Sequence, residues 1–129
     1  MALPPVPGLR HLGYLSEDEK HAALAAASVV VCPSAYESLS IALLEGFAVG
    51  TPGLVNAASA VLKEHCLRSN AGLFYGDGDE FGEALSRLID DPGLRRALGE
   101  AGRRYVEADY RWEVVLDRYR ALIEAAART

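Results

Sequence analysis

The sequence predicts an α/β domain, a partial Rossmann-like parallel sheet flanked by helices. Three observations carry that expectation. Val29-Val30-Val31-Cys32 is a continuous β-branched run, which reads as a strand buried on both faces of a parallel sheet. Short apolar runs alternate along the chain with longer segments of helical periodicity, the order that builds parallel strands with right-handed crossovers. The 129 residues, 50% of them hydrophobic, suffice for one core, and no repeat or linker divides them, so residues 1–129 are read as a single domain.

Taken in order, Pro4, Pro5 and Pro7 keep the start of the chain extended. Leu9 to Leu12 reads as a short strand closed by Gly13. Ser16-Glu17-Asp18-Glu19 is a capping box, in which the Ser16 hydroxyl accepts from the Glu19 N–H and the Glu19 carboxylate reaches back. The helix it starts runs to about Ala27. After the Val29–Cys32 strand a helix is predicted between Glu37 and Gly50, ended by Thr51-Pro52. Gly53 to Asn56 is the next strand, Ala57 to Cys66 a helix, and Gly72 to Tyr75 a third strand stopped by Gly76-Asp77-Gly78. Asp79 is expected to cap a helix carrying Phe81, Leu85, Leu88 and Ile89. Asp91-Pro92 opens another with its proline just inside. Trp112 begins the last helix, whose apolar stripe of Val115, Leu116, Tyr119, Leu122 and Ile123 is either core or a surface for another domain.

The net charge of −5 excludes the basic stripe of a nucleic-acid-binding surface but leaves room for a small anion held locally. Cys32 and Cys66 lie in apolar surroundings without metal-like spacing and read as reduced thiols, which fits a cytoplasmic setting. Met1 to Leu9 is proline-rich instead of basic then apolar, so no signal peptide is expected. No uncharged run approaches the ~18–20 residues of a membrane span. His11, His21 and His65 are scattered and read as structural or exposed.

Two carboxylates on an otherwise apolar segment ask for a reason. Burying an ionised carboxylate costs several kcal/mol unless it is paired, hydrogen-bonded or facing a polar ligand. If 38–49 is helical, Leu39, Ile41, Ala42, Leu43, Leu44, Phe47 and Ala48 cover its circumference, and a helix apolar all round is buried. Glu45 then lies roughly 12 Å of rise beyond Glu37. That separation is too wide for a shared proton and suits a long polar ligand gripped at both ends. A carboxylate accepts two hydrogen bonds side by side and so suits a vicinal diol. The first-turn N–H groups at Ser38 to Ile41 favour an anion such as pyrophosphate. Diol, diphosphate and diol together describe a nucleotide-sugar. The alternative is plain helix capping with an ion pair to a lysine or arginine.

The order Pro33-Ser34, Glu37, seven residues, Glu45, then Gly50-Thr51-Pro52 resembles the signature of retaining GT-B glycosyltransferases of group 1, the family 4 type. Leu12-Gly13-Tyr14, Gly72-Leu73-Phe74-Tyr75 with Asp79, and the Trp112 helix agree with it, so the resemblance covers Arg10 to about Ala125. It implies that Glu45 holds the donor ribose and that Glu37 is the catalytic-side carboxylate beside the donor sugar. Backbone amides of Leu39, Ser40 and Ile41 would meet the distal phosphate, and Tyr14 with Leu15 would border the nucleobase. It further implies sugar transfer with retained configuration from a nucleotide-sugar donor, without a bound metal or other cofactor. The chain departs from the family pattern at Ser38-Leu39-Ser40, where a Gly-Phe-Gly-like triplet is usual, and at Gly46, where alanine is usual.

The resemblance reaches only the later part of the family's C-terminal domain. The acceptor domain, the first two strands and their Arg/Lys pair have no counterpart, so the fragment alone is expected to be inactive. The apolar Val29–Cys32 strand would then keep an open edge, inviting self-association or a rearranged N-terminal strand that covers it. Two other classes fit less closely: a stand-alone nucleotide or nucleotide-sugar binding domain, and a GT-B-like epimerase, which would need an acid/base cluster that the sequence does not display. The nucleotide, the sugar and the acceptor are not legible.

Overall fold

The computed structural model describes residues 4–129, so the first three residues of the proline-rich start lie outside it. Three strands, β1 (Val30–Cys32), β2 (Gly53–Asn56) and β3 (Gly72–Tyr75), form one parallel sheet in the order β1-β2-β3. Val31 pairs with Leu54 and Leu54 with Leu73, so the apolar centres of the strands lie side by side. Six helices surround the sheet: α1 (Glu17–Ala26), α2 (Ile41–Ala48), α3 (Ala60–Ser69), α4 (Gly78–Asp90), α5 (Pro92–Asp109) and α6 (Trp112–Ala127). This is the α/β arrangement the sequence predicts.

The core forms where β2, α2, α3 and α5 meet. Leu43, Phe47, Leu54, Val55 and Leu62 are fully buried there. Glycines make the α2–α5 contact possible. A Cβ at Gly99 of α5 would strike the carbonyl oxygen of Gly50, and one at Gly102 would press on Phe47 and Ala71. Gly50 turns out of α2 at φ +81°, a conformation that glycine adopts without steric cost. Thr51 then donates its hydroxyl to the Leu24 carbonyl at 2.7 Å, and Arg103 donates to the Val49 carbonyl at 2.9 Å. The C-terminal end of α2 is thus held from two sides.

Several local expectations need correction. Leu9 to Leu12 is not a strand: it is exposed and irregular, because no neighbouring strand is present to pair with it. The first strand is not buried on both faces; it lies at the sheet edge, with Cys32 buried and Val31 40% exposed. The helix expected between Glu37 and Gly50 spans only Ile41–Ala48, because Ser40 adopts a left-handed φ of 63° that cannot continue a right-handed helix. It is also not buried all round: Leu43, Leu44, Gly46 and Phe47 face the core, while Ile41 is exposed. The third helix starts at Ala60, not Ala57, since the Asn56 side chain accepts from the Ala58 N–H and Ser59 supplies the cap. Asp77, not Asp79, caps α4.

Candidate functional site

Parallel strands direct their carboxyl ends into loops, and in such sheets ligands bind at those ends. Here β1 leads into the 33–40 loop and β2 into the turn before α3. Asn56 joins the two. Its amide donates to the Pro33 carbonyl at 3.0 Å while its side-chain oxygen accepts from Ala58 N–H at 2.9 Å. Between the loops lies an open cleft of about 650 Å³, with Ala35, Tyr36, Glu37 and Ser38 on one wall and Ala58 to Val61 on the other. Glu37 is half-buried in it. No lysine, arginine or histidine lines this cleft.

The start of α2 differs from those of α1, α3, α4 and α5, and shares with that of α6 the lack of a side-chain cap. Ser16, Ser59, Asp77 and Asp91 each accept a backbone N–H and so cap α1, α3, α4 and α5. Ser40, at the cap of α2, is buried and makes no side-chain cap. The first N–H groups of a helix have no intrahelical partner and carry the positive end of its dipole. At α2 they are left for something else.

The loop is fixed from beneath by His65, which is buried on the inward stripe of α3 with Leu62, Cys66 and Ser69. Its Nε2 lies 2.8 Å from the Leu39 carbonyl oxygen and its Nδ1 2.9 Å from the Tyr105 hydroxyl. A carbonyl only accepts, so Nε2 carries a proton, and in the neutral ring Nδ1 then accepts from Tyr105. Burial raises the Tyr105 phenol above its ordinary range, which keeps that hydroxyl a donor. Tyr110 continues the chain, its hydroxyl 3.4 Å from that of Tyr105.

Glu45 is half-buried on α2, with its carboxylate 2.8 Å from Lys20 Nζ. Lys20 also meets Glu17 at 2.9 Å, and the hydrogen bonds to Glu45 and then Glu17 hold its ammonium above the usual lysine range. Carboxylate oxygens of Glu17 and Glu45 and a ring nitrogen of His21 lie within 4.8 Å of one another. The Lys20 ammonium already pairs with both carboxylates, so the chain itself offsets one of their two negative charges. The ion-pair alternative for Glu45 is therefore what the free chain displays. Tyr14, 97% exposed, and half-buried Leu15 precede α1, and Lys20 ties the first turns of α1 to Glu45.

The structure places some of the predicted residues in two separate hollows, while Ser40, Tyr14 and Leu15 line neither. Glu37 and Ser38 face the cleft toward α3. Glu45, Leu39 and Ile41 line a neighbouring apolar groove of about 440 Å³ that reaches Tyr110 and Trp112. Glu37 is on a loop and not a helix, so the 12 Å rise between the carboxylates does not apply. Sequence reasoning missed Lys20, His65 and the Ala58–Val61 wall. The signal for His65 was its spacing with Leu62, Cys66 and Ser69. The Lys20–Glu45 pair spans 25 residues and left no local trace. Burial raises both thiols, Cys66 to about 12, so neither offers a thiolate near neutral pH.

A family model described as Glycosyl transferases group 1 matches residues 7–105. The chain belongs to that family. A "GDP-mannose-dependent monoacylated alpha-(1-6)-phosphatidylinositol monomannoside mannosyltransferase" of Corynebacterium glutamicum is 29% identical over 93% of the chain and 33% of its own length. An "MMP alpha-(1->4)-mannosyltransferase" of Mycolicibacterium hassiacum is 35% identical, over 87% of the chain and 28% of its own length. Among solved structures, sucrose-phosphate synthase from Thermosynechococcus elongatus superposes with a TM-score of 0.71 at 30% identity, covering 83% of the chain and 27% of that protein. The small parallel sheet with its helices is thus GT-B-like. The chain spans about a third or less of the length of these relatives. The positive φ of Ser40 is one that glycine adopts without steric cost, which agrees with the glycine that the resemblance implies there.

Proposed function

We propose that the chain is the donor-binding part of a retaining glycosyltransferase, taking a nucleotide-sugar whose diphosphate lies at the start of α2. The observation that carries this reading is the uncapped α2 terminus at the carboxyl end of β1, beside a cleft walled by Glu37. Amides of Leu39, Ser40 and Ile41 meet the distal phosphate. Glu37 contacts hydroxyls of the donor sugar from the cleft side. Glu45 accepts from the ribose diol, for which the Lys20 ammonium shifts toward Glu17, and Tyr14 with Leu15 borders the base.

The cleft supplies hydrogen-bond acceptors and small residues but no cation. Leaving-group charge is therefore neutralised by groups from elsewhere in a longer protein, and the chain alone binds the donor without transferring sugar. The open edge of β1 supports a further part of the reading, pairing with another strand, either of a longer protein or of a second copy. Two buried cysteines that form no disulfide suit a reducing compartment such as the cytoplasm. Among the described residues no helix is long and apolar enough to cross a membrane.

Calorimetric titration of the chain with GDP, UDP and GDP-mannose, in wild type and Glu45→Ala, tests the reading. Saturable binding that weakens about tenfold in the variant is expected, the worth of about one hydrogen-bonded anchor. Equal affinity in the two proteins would remove Glu45 from the donor site. No binding of any of the three would remove the nucleotide-sugar reading itself.

A further inference from the structure

We propose that His65 is a positioning residue, which turns the Ser40 amide outward by holding the Leu39 carbonyl inward. The inference deepens the reading above, since that amide is one of those assigned to the donor phosphate. A trans peptide unit is planar, and its C=O and N–H point in opposite directions. Leu39 C=O and Ser40 N–H belong to one such unit. The carbonyl oxygen is bound by the Nε2–H of His65, a side chain only 5% exposed, so it points into the molecule. The Ser40 N–H must therefore point out, and among the described residues no partner accepts it.

The same bond helps impose the left-handed Ser40. That conformation costs a non-glycine residue about 1–2 kcal/mol, and the buried hydrogen bond on its preceding carbonyl opposes relaxation of the peptide plane. His65 is itself immobilised. Tyr105 donates to Nδ1, and the rings of Tyr105 and Tyr110 each meet the imidazole edge-on at centroid distances of 5.9 Å. Three elements thereby agree on one orientation: α3 carries the imidazole, α5 fixes its tautomer, and the 33–40 loop receives its proton. A glycine at position 40 would reach this geometry unaided. The histidine supplies from below the constraint that a serine needs.

NMR of the chain tests the assignment without any ligand. In wild type the His65 ring should show a protonated Nε2 and an unprotonated, hydrogen-bonded Nδ1. The Ser40 amide should exchange freely with solvent. In His65→Gln the side-chain amide can still donate to the Leu39 carbonyl, so the Ser40 amide keeps its resonance position and exchange. In His65→Leu the donor is gone, and the Ser40 resonance moves with those of Leu39 and Ile41. Tyr105→Phe removes the hydroxyl but keeps the Leu39 bond and should leave Ser40 in place, separating positioning from general loss of stability. If His65→Leu does not fold, the Gln and Phe variants and the ring tautomer decide. A protonated Nδ1 in wild type, or a Ser40 amide slow to exchange there, overturns the proposal. So does a folded His65→Leu in which Ser40 is unmoved.

Titration with GDP and UDP then separates this claim from the one it rests on. Ser40 and Ile41 amides should shift in wild type and His65→Gln, with about tenfold weaker binding in His65→Leu. The free-chain signature without any nucleotide-induced shift in wild type would uphold the outward amide and sink the nucleotide reading.

Discussion

The two ends of α2 are built to opposite specifications. At its C-terminal end Phe47 is fully buried, α5 lies close enough that Gly99 meets the Gly50 carbonyl, and Thr51 and Arg103 hold the exit by hydrogen bonds. At its N-terminal end no side chain caps the helix, Ser40 is left-handed, and Leu39 and Ile41 are exposed. The difference teaches how an eight-residue helix can present an unsatisfied terminus at all. Rigidity comes from the far end and from His65 beneath the loop, so the near end does not have to be stabilised by contacts of its own.

The largest effect should therefore come from the far end. Phe47→Ala removes a side chain with no solvent exposure and leaves a cavity that backbone contacts on both sides prevent from closing. A loss of about 3–5 kcal/mol is expected in urea unfolding, a large part of the total stability of a domain this size. A loss below about 1 kcal/mol would mean the α2–α5 contact is loose in solution.

Gly99→Ala comes next. Alanine ordinarily improves a helix interior by about 1 kcal/mol over glycine, yet here its methyl meets a backbone carbonyl that no rotamer change can move aside. A net loss of about 1–3 kcal/mol is expected. Gly82→Ala in α4 is the control, because a Cβ there meets nothing within 4 Å. It should gain up to about 1 kcal/mol. Similar responses from the two glycines would contradict the close packing assigned to the far end.

Ser40→Gly addresses the near end and should act with the opposite sign. Glycine relieves the left-handed strain of Ser40 but loses more freedom on folding. Thermal unfolding should rise by an amount equivalent to about 0.5–1 kcal/mol. A decrease would mean that the serine side chain stabilises the cap more than its backbone strains it.

What the sequence made legible follows the same division. Several features whose partners lie within a few residues read correctly, although the caps of α3 and α4 were misplaced by two or three residues. The capping box of Ser16 and Glu19 is present with both of its hydrogen bonds, Pro92 sits at the start of α5, and the Gly53–Asn56 and Gly72–Tyr75 strands have the expected bounds. The geometry around α2 was less legible. Glu37 and Glu45 line two different hollows, because Ser40 breaks the helix that was to carry Glu37, and no local pattern signals a left-handed serine. Lys20 and His65 reach the site from positions about 25 residues away along the chain, and a pairing of that kind leaves no period to find. Leu9 to Leu12 failed for the converse reason. A strand needs a neighbour for its backbone groups, and local propensity cannot provide one.

The smallest effect should be that of Ile41→Ala. Ile41 is as apolar as Phe47 and lies on the same helix, but 64% of it faces solvent. In the isolated chain its truncation should change stability by no more than about 0.5 kcal/mol, against several for Phe47. The comparison becomes sharper when the measurement is made at two protein concentrations. If the exposed start of α2 and the open edge of β1 are covered by a second copy, dimerisation stabilises the folded state by mass action. The cost of removing Ile41 would then grow with concentration. A small, concentration-independent change keeps the near end of α2 as an open surface. A cost that climbs as the protein is concentrated, with sedimentation showing a dimer, would place a second copy over it.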